Sequence, residues 1–314
     1  MRNQLITVFG GTGFIGRHLV RRLVARGARV LVPSRNPSRG NHLQPMGRVG
    51  QIVVERVDLA SERALARALA GASGVVNLIG IMHEGRQQRF EEVQGALPGR
   101  IAKAAADAGI ERMVQISALG ADPGSASAYA RSKADGERRV REALPSVTIL
   151  RPSIVIGPED SFFNRFAEMA RWLPALPLIG GGETRFQPVY VGDVADAIVA
   201  GLQRPETAGQ TYELGGPQVY SFAELMRYML KVLGRRRLLV PLSFRMAELQ
   251  ARFLELLPAP PLTRDQVELL KTDNVVAEGA KGLADLAIAP TPIELIVPEY
   301  LARYRASAAR FAGG

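Results

Sequence analysis

Near its start the chain reads Gly10-Gly11-Thr12-Gly13-Phe14-Ile15-Gly16, directly after the apolar run Leu5-Ile6-Thr7-Val8-Phe9. A buried strand, a tight turn and a helix over Ile15–Ala25 fit that string. Ile15, Leu19, Val20, Leu23 and Val24 fall on the inner helical face, and Arg17, Arg21 and Arg26 fall away from it. Glycines at 11, 13 and 16 let the backbone approach a pyrophosphate and let the helix pack tightly on its strand. Free amides in the first helical turn then receive the negative charge. The chain has 32 glycines, so the spacing alone carries little; the strand before it and the helix after it make it a predicted dinucleotide site.

The first half continues as alternating strand and helix patterns. Gly27 caps the first helix, and strands are expected at Arg29–Val32, Ile52–Val57, Val75–Ile79, Met113–Ile116 and Val147–Leu150, with a helix from Arg63 to Leu69. Short β-branched runs separated by helices predict an α/β fold: a doubly wound parallel sheet, the Rossmann fold, that binds ligands at its carboxyl edge. After Pro152 the pattern changes. Prolines and glycines thicken at Pro174–Gly182, a strand-like Phe186–Val191 leads to a helix capped by Asp193, and Thr211–Gly216 resembles a further strand and turn. From Ser221 on, helical stretches are broken by Pro241, Pro258 and Pro260-Pro261. The expected division is a nucleotide-binding domain over 1–152, to which 186–216 returns, and a smaller, mostly helical lobe over 153–314.

Composition narrows the partners. The 314 residues can bury a substantial core. No apolar run reaches the roughly 18 residues of a membrane span, and with the first strand starting this early no signal peptide is expected. With no cysteine and three scattered histidines (His18, His42, His83), no thiolate or clustered metal site is expected. The net charge of +10 comes from arginines spread along the chain, with one tight cluster at Arg235–Arg237 and no interleaved aromatics. That argues against nucleic acid, and leaves a solvated surface or an anionic surface such as phospholipid headgroups.

The second strand bears on which dinucleotide is bound. An NAD site usually places an acid about 20 residues past the glycines to hold the adenosine ribose. Here the first acid after the glycines is Glu55, and the second strand ends in Pro33-Ser34-Arg35-Asn36-Pro37-Ser38-Arg39. Ser34, Arg35 and Arg39 can donate to a 2′-phosphate that a carboxylate would repel, so NADP(H) is the expected cofactor. Asp58 and Leu59 end the next strand; Asp58 either borders the adenine or caps the following helix.

Tyr129-Ala130-Arg131-Ser132-Lys133 places a phenol and an ammonium four residues apart, on one helical face. A phenol with a pKa of about 10 becomes a useful acid–base near neutrality when a neighbouring cation favours its phenolate. Together with the glycine turn, this pair resembles the extended or atypical branch of the short-chain dehydrogenase/reductase superfamily along nearly the whole chain. By that resemblance Tyr129 would be the acid–base and Lys133 would hold the nicotinamide ribose. Asn77-Leu78-Ile79-Gly80 would wall the cofactor, and Arg151-Pro152-Ser153 would border the nicotinamide. The family's substrate-holding hydroxyl falls on Ser117, or its position on Ala118. Gln94 stands where the family's relay asparagine is expected.

Downstream, Leu150-Arg151-Pro152-Ser153-Ile154-Val155-Ile156-Gly157-Pro158-Glu159-Asp160 continues into Phe162-Phe163-Asn164-Arg165-Phe166. Gln187–Val194, Leu262–Glu268 and Ala289–Leu295 follow. These segments resemble the NADPH-binding accessory subunits of respiratory complex I and their bacterial relatives. The resemblance implies a nucleotide bound for structure or sensing, complex I subunits and a membrane surface as partners, and a cytoplasmic place at the inner face of the respiratory membrane. Retained Tyr129 and Lys133 leave turnover by an NADP-dependent oxidoreductase or epimerase open. Leu242, Met246, Leu249, Phe253, Leu256 and Leu257 recur at helical spacing beside Arg245, Glu248, Arg252 and Glu255. That stripe either packs on the chain's own core, the expected case, or rests on a membrane or partner subunit.

Overall fold

A computed structural model describes residues 1–85, 88–257 and 260–305. The chain divides into two compact units, the first formed by Met1–Pro152, Val191–Leu214 and Val276–Ala289.

In the first unit the chain runs β1 (Leu5–Phe9), α1 (Phe14–Ala25), β2 (Arg29–Ser34), β3 (Ile52–Arg56), α2 (Glu62–Leu69) and β4 (Gly74–Asn77). It continues as α3 (Leu97–Asp107), β5 (Met113–Ile116), α4 (Ala128–Ala143) and β6 (Thr148–Pro152). The second unit then contributes β7 (Val155–Ile156), α5 (Phe163–Trp172), β8 (Ala175–Ile179), β9 (Arg185–Phe186) and β10 (Val189–Tyr190), before α6 (Val191–Gln203) and β11 (Thr211–Leu214) return to the first. Its remaining elements are β12 (Tyr220–Ser221), α7 (Phe222–Leu233), β13 (Leu238–Leu242), α8 (Phe244–Leu254), α9 (Arg264–Leu269) and α10 (Ile293–Leu301).

The central sheet has seven parallel strands in the order β11-β6-β5-β4-β1-β2-β3. The order reverses between β1 and β4, which opens a crevice at their carboxyl ends. Both faces are covered, as a parallel sheet requires. On one, Leu65, Leu69, Ile101, Ala105 and Val140 from α2, α3 and α4 pack with Phe9, Val75, Met113 and Ile149 of the strands. α1 lies against α6, and Arg22 Nε donates to Asp196 across them at 2.9 Å. The segment Val276–Ala289 is tied in where the Glu213 N–H donates to the Lys281 carbonyl at 2.8 Å and the Ala277 N–H to the Glu213 carboxylate at 2.9 Å.

Several local expectations need correction. Residues 186–191 form two short strands, because Pro188 has no N–H for a ladder; β9 pairs antiparallel with β12 and β10 parallel with β7. Asp193 sits buried within the first turn of α6, two residues past its start, rather than at the position before it. Pro241 interrupts no helix: it lies in β13, a strand paired along one side with β8. The second unit has its own core, built on Phe163, Phe186, Phe222, Met226, Met229 and Val297.

The largest departure concerns α8. Ala247 and Ala251 are its buried residues and pack with Ile179 and Val267, so the helix uses its small side chains for the core. Leu242 and Phe244 are partly buried against that cluster, whereas Met246, Leu249, Phe253, Leu256 and Leu257 are exposed. The expectation that this stripe packs on the chain's own core therefore fails beyond Leu242. Pro258, which closes the stripe in the sequence, lies outside the described residues. Among the described residues no helix is long and apolar enough to cross a membrane.

Candidate dinucleotide site

The turn between β1 and α1 is built around close backbone approaches. Gly10 has φ +75°, a left-handed conformation, and a Cβ there would lie 3.0 Å from the Leu78 carbonyl carbon in the crevice. A Cβ on Gly16 would stand 2.4 Å from the Gly11 carbonyl oxygen, so α1 can sit this close to its turn only with glycine at that position. Gly11 is equally confined, with Val32 Cγ1 at 2.9 Å from its missing Cβ. Gly13 caps α1 without a side-chain hydrogen bond, and the first turn contains no acid. The helix start beside Thr12, Phe14 and Ile15 is thus suited to an anion.

At the end of β2, the Ser34 hydroxyl donates to the Asn36 carbonyl at 2.9 Å and accepts from the Asn36 N–H, closing a local turn. Arg35 and Arg39 are exposed. Arg35 shares an open groove of about 560 Å³ with Arg56, Asp58, Ser61 and Arg67. Arg39 is not part of its lining and lies in the 3-10 helix Pro37–Met46. Arg56 and Arg67 were not singled out from the sequence. The β2–β3 register pairs Ser34 with Arg56, and a strand alignment would have found the first of them. Ser61 caps α2 by accepting from the Ala64 N–H, while Asp58 accepts from the Ala60 N–H in a turn, so Asp58 is not the cap. Leu59 packs at the edge of the core.

Beyond β4 the wall is fixed by buried amides. Asn77 Nδ2 donates to Gln115 Oε1 at 2.9 Å, its Oδ1 accepts from the Ile79 N–H, and the Leu78 N–H donates to the Phe9 carbonyl. The Asn77 side chain is therefore occupied in shaping the turn that presents Leu78, Ile79 and Gly80. Gln94 lies in a π-helical segment, Glu91–Ala96, that leads into α3. Its Oε1 accepts from the Ile81 N–H, and its Nε2 donates to the Ser132 hydroxyl, which donates to the Tyr129 carbonyl. Gln94 thus ties the loop after β4 to α4.

Tyr129 and Lys133 lie on α4, which Ser127 caps. The structure brings them together: Lys133 Nζ is 5.7 Å from the centre of the Tyr129 ring, which also makes an edge-to-face contact with Phe90 at 5.8 Å between centroids. Lys133 is buried, and a Cβ on Gly80 would lie 3.3 Å from its Nζ. Burial pulls its pKa down to about 8, partly offset by the Glu137 carboxylate one turn on. Glu137 is itself taken up by Arg151, which donates to both of its oxygens at 2.9 and 2.7 Å. Ser117, just after β5, has a buried hydroxyl with no hydrogen-bond partner among the described residues, so it makes no such bond to Tyr129. Pro152 is buried in β6, and the Ser153 hydroxyl, in the second unit, donates to Asn274 Oδ1 at 2.7 Å.

Comparison with known proteins agrees with this layout. Residues 6–215 match the model of the "NAD dependent epimerase/dehydratase family". The chain is 39% identical to the mitochondrial "NADH dehydrogenase [ubiquinone] 1 alpha subcomplex subunit 9" of Arabidopsis thaliana, over 97% of this chain and 79% of that protein. The protein of the same name from Rattus norvegicus is 38% identical, over 95% of this chain and 80% of its own length. In fold, the NADPH-dependent quinone oxidoreductase QOR2 of Escherichia coli, solved with NADPH, superimposes with TM-score 0.74 at 20% identity, over 95% of this chain and 99% of that one. The matched stretch runs across the glycine turn, the reversal of strand order at β1 and β4 and the helix that carries Tyr129 and Lys133: the chain belongs to the NAD dependent epimerase/dehydratase family.

Proposed function

We propose that this protein holds NADP(H) and serves as an accessory or assembly subunit of a respiratory NADH:quinone oxidoreductase, at the inner face of the membrane. The observation that carries the reading is the reach of the likeness. The family model stops at residue 215, yet identity of 39% to a mitochondrial NADH dehydrogenase subunit runs along 97% of the chain.

The residues of the first unit fit the nucleotide. The Gly10–Gly16 turn would cradle the pyrophosphate in space that added Cβ atoms would distort, with the amides of α1 facing its charge. Arg35, assisted by Arg56 across the strand pair and by Arg67, would hold the 2′-phosphate, where no carboxylate from β2 competes. Asp58 and Leu59 would border the adenine, Leu78, Ile79 and Gly80 the adenosine side of the crevice, and Lys133 the nicotinamide ribose. Ser34 supports the turn that positions Arg35. Purification in mild detergent should recover a respiratory complex with the protein and release NADP(H) on denaturation; repeated isolation free of such a complex would refute the accessory role.

A second reading, an active NADP-dependent oxidoreductase or epimerase, is favoured by the unpartnered hydroxyl of Ser117, a buried donor able to take a substrate oxygen. Bound nicotinamide would supply hydride exchange. Tyr129 would move the proton, Lys133 would favour its phenolate and Ser117 would orient the carbonyl or alcohol. NADPH oxidation with quinones or ketones that persists unchanged in Tyr129→Phe would exclude that role.

A further inference from the structure

We infer that the outward face of α8 is a docking surface for a lipid bilayer with anionic headgroups. Met246, Leu249 and Phe253, on the side of α8 away from its packed alanines, are 49%, 50% and 65% exposed, and Leu256 and Leu257 beyond the helix are 83% and 50% exposed. This is a continuous ridge, unlike the scattered single apolar residues of an ordinary surface. Charge is sorted around it. Glu248 pairs with Lys271 at 2.9 Å and Glu255 with Arg264 at 2.9 Å, which neutralises the acids of this segment. Arg245 and Arg252 are exposed, two helical turns apart on the face beside the ridge, and have no ion pair among the described residues. The strand leading into α8 repeats the combination, with Leu238 and Val240 exposed beside Arg236.

An apolar ridge flanked by unpaired arginines is what an anionic membrane interface selects: side chains enter the acyl boundary while guanidinium groups meet phosphates. The 11 residues of α8 are too short to span a bilayer, so the helix would lie in its plane. A second copy of the chain suits this face poorly. A two-fold contact would set the arginines against their own equivalents, with both neighbouring acids already paired.

The inference rests on the respiratory-membrane reading only for the choice of a bilayer, and its test is separate. The full chain is sedimented with vesicles of phosphatidylcholine alone and of phosphatidylcholine with equimolar phosphatidylglycerol. Pelleting with the anionic vesicles is expected, weakened by salt. It should fall roughly 30-fold in R245Q/R252Q, at about 1 kcal/mol per arginine, and at least about tenfold in L249S/F253S. Both variants change exposed side chains and should keep the wild-type melting temperature and nucleotide affinity. Wild-type protein that stays in the supernatant, or L249S/F253S that pellets as well as wild type, overturns the inference. So does a concentration-dependent dimer abolished by L249S/F253S without vesicle binding, which would make the ridge a self-interface. Pelleting without a co-purifying respiratory complex supports the docking face while counting against the accessory role; co-purification without pelleting does the reverse.

Discussion

Removing the charge of Lys133 should stabilise the nucleotide-free protein. Burial lowers this lysine from an ordinary 10.5 to about 8, because the folded environment disfavours the ammonium and Glu137 compensates only in part. Between those two values the unfolded chain holds a proton that the folded chain has shed, so stability rises with pH across that window. Below about pH 8 both states are charged and the folded state bears the whole penalty, about 3 kcal/mol at neutrality. Lys133→Met keeps the length and apolar stem of the side chain without the charge. It orphans no acid, since Glu137 remains held by Arg151. Urea unfolding of nucleotide-free protein at pH 7 should show K133M more stable than wild type by up to about 3 kcal/mol. The advantage should shrink toward zero as pH rises past 10. Adding NADPH should narrow that gap if the ammonium holds the nicotinamide ribose: at one hundred times the wild-type Kd, wild type gains about 2.7 kcal/mol, and the variant gains less at the same concentration. K133M less stable than wild type at pH 7 without nucleotide, or a difference independent of pH between 8 and 10.5, would refute the reasoning.

Three further outcomes follow from the geometry. Gly16→Ala forces a Cβ to 2.4 Å from the Gly11 carbonyl oxygen and should destabilise the fold by about 1–3 kcal/mol while weakening NADPH binding, read by calorimetry and fluorescence. Arg35→Ala should lose roughly tenfold or more in NADPH affinity, the worth of a charge-assisted hydrogen bond, and leave NADH affinity little changed. Ser117→Ala removes a buried hydroxyl that has no partner, so thermal unfolding should be unchanged or slightly raised, while any ketone or quinone reduction falls.

The sheet was legible because parallel strands buried on both faces need continuous apolar runs, such as Val75-Val76 and Met113-Val114, and the glycine turn fixes which of them comes first. Two-residue strands such as β9 and β10 carry no periodicity of their own, so Phe186–Val191 read as one strand where the chain makes two. Arg56 and Arg67 escaped notice because a groove depends on the register of neighbouring strands, which composition does not give. Tyr129 and Lys133 were legible from helical spacing, but the burial that lowers Lys133 depends on distant segments such as the one that brings Gly80 beside its Nζ. On α8, periodicity revealed the apolar face but not what covers it. Two alanines on the other side supply the packing, a signal too weak to outweigh five large apolar residues.

Titration calorimetry of the purified chain with NADPH and with NADH tests the central claim most directly. NADPH should bind at one site per chain and at least about tenfold more tightly than NADH, the margin expected of guanidinium contacts to the extra phosphate. Equal affinities, a preference for NADH, or no heat with either nucleotide would contradict the assignment of the glycine turn and Arg35 to a phosphorylated dinucleotide.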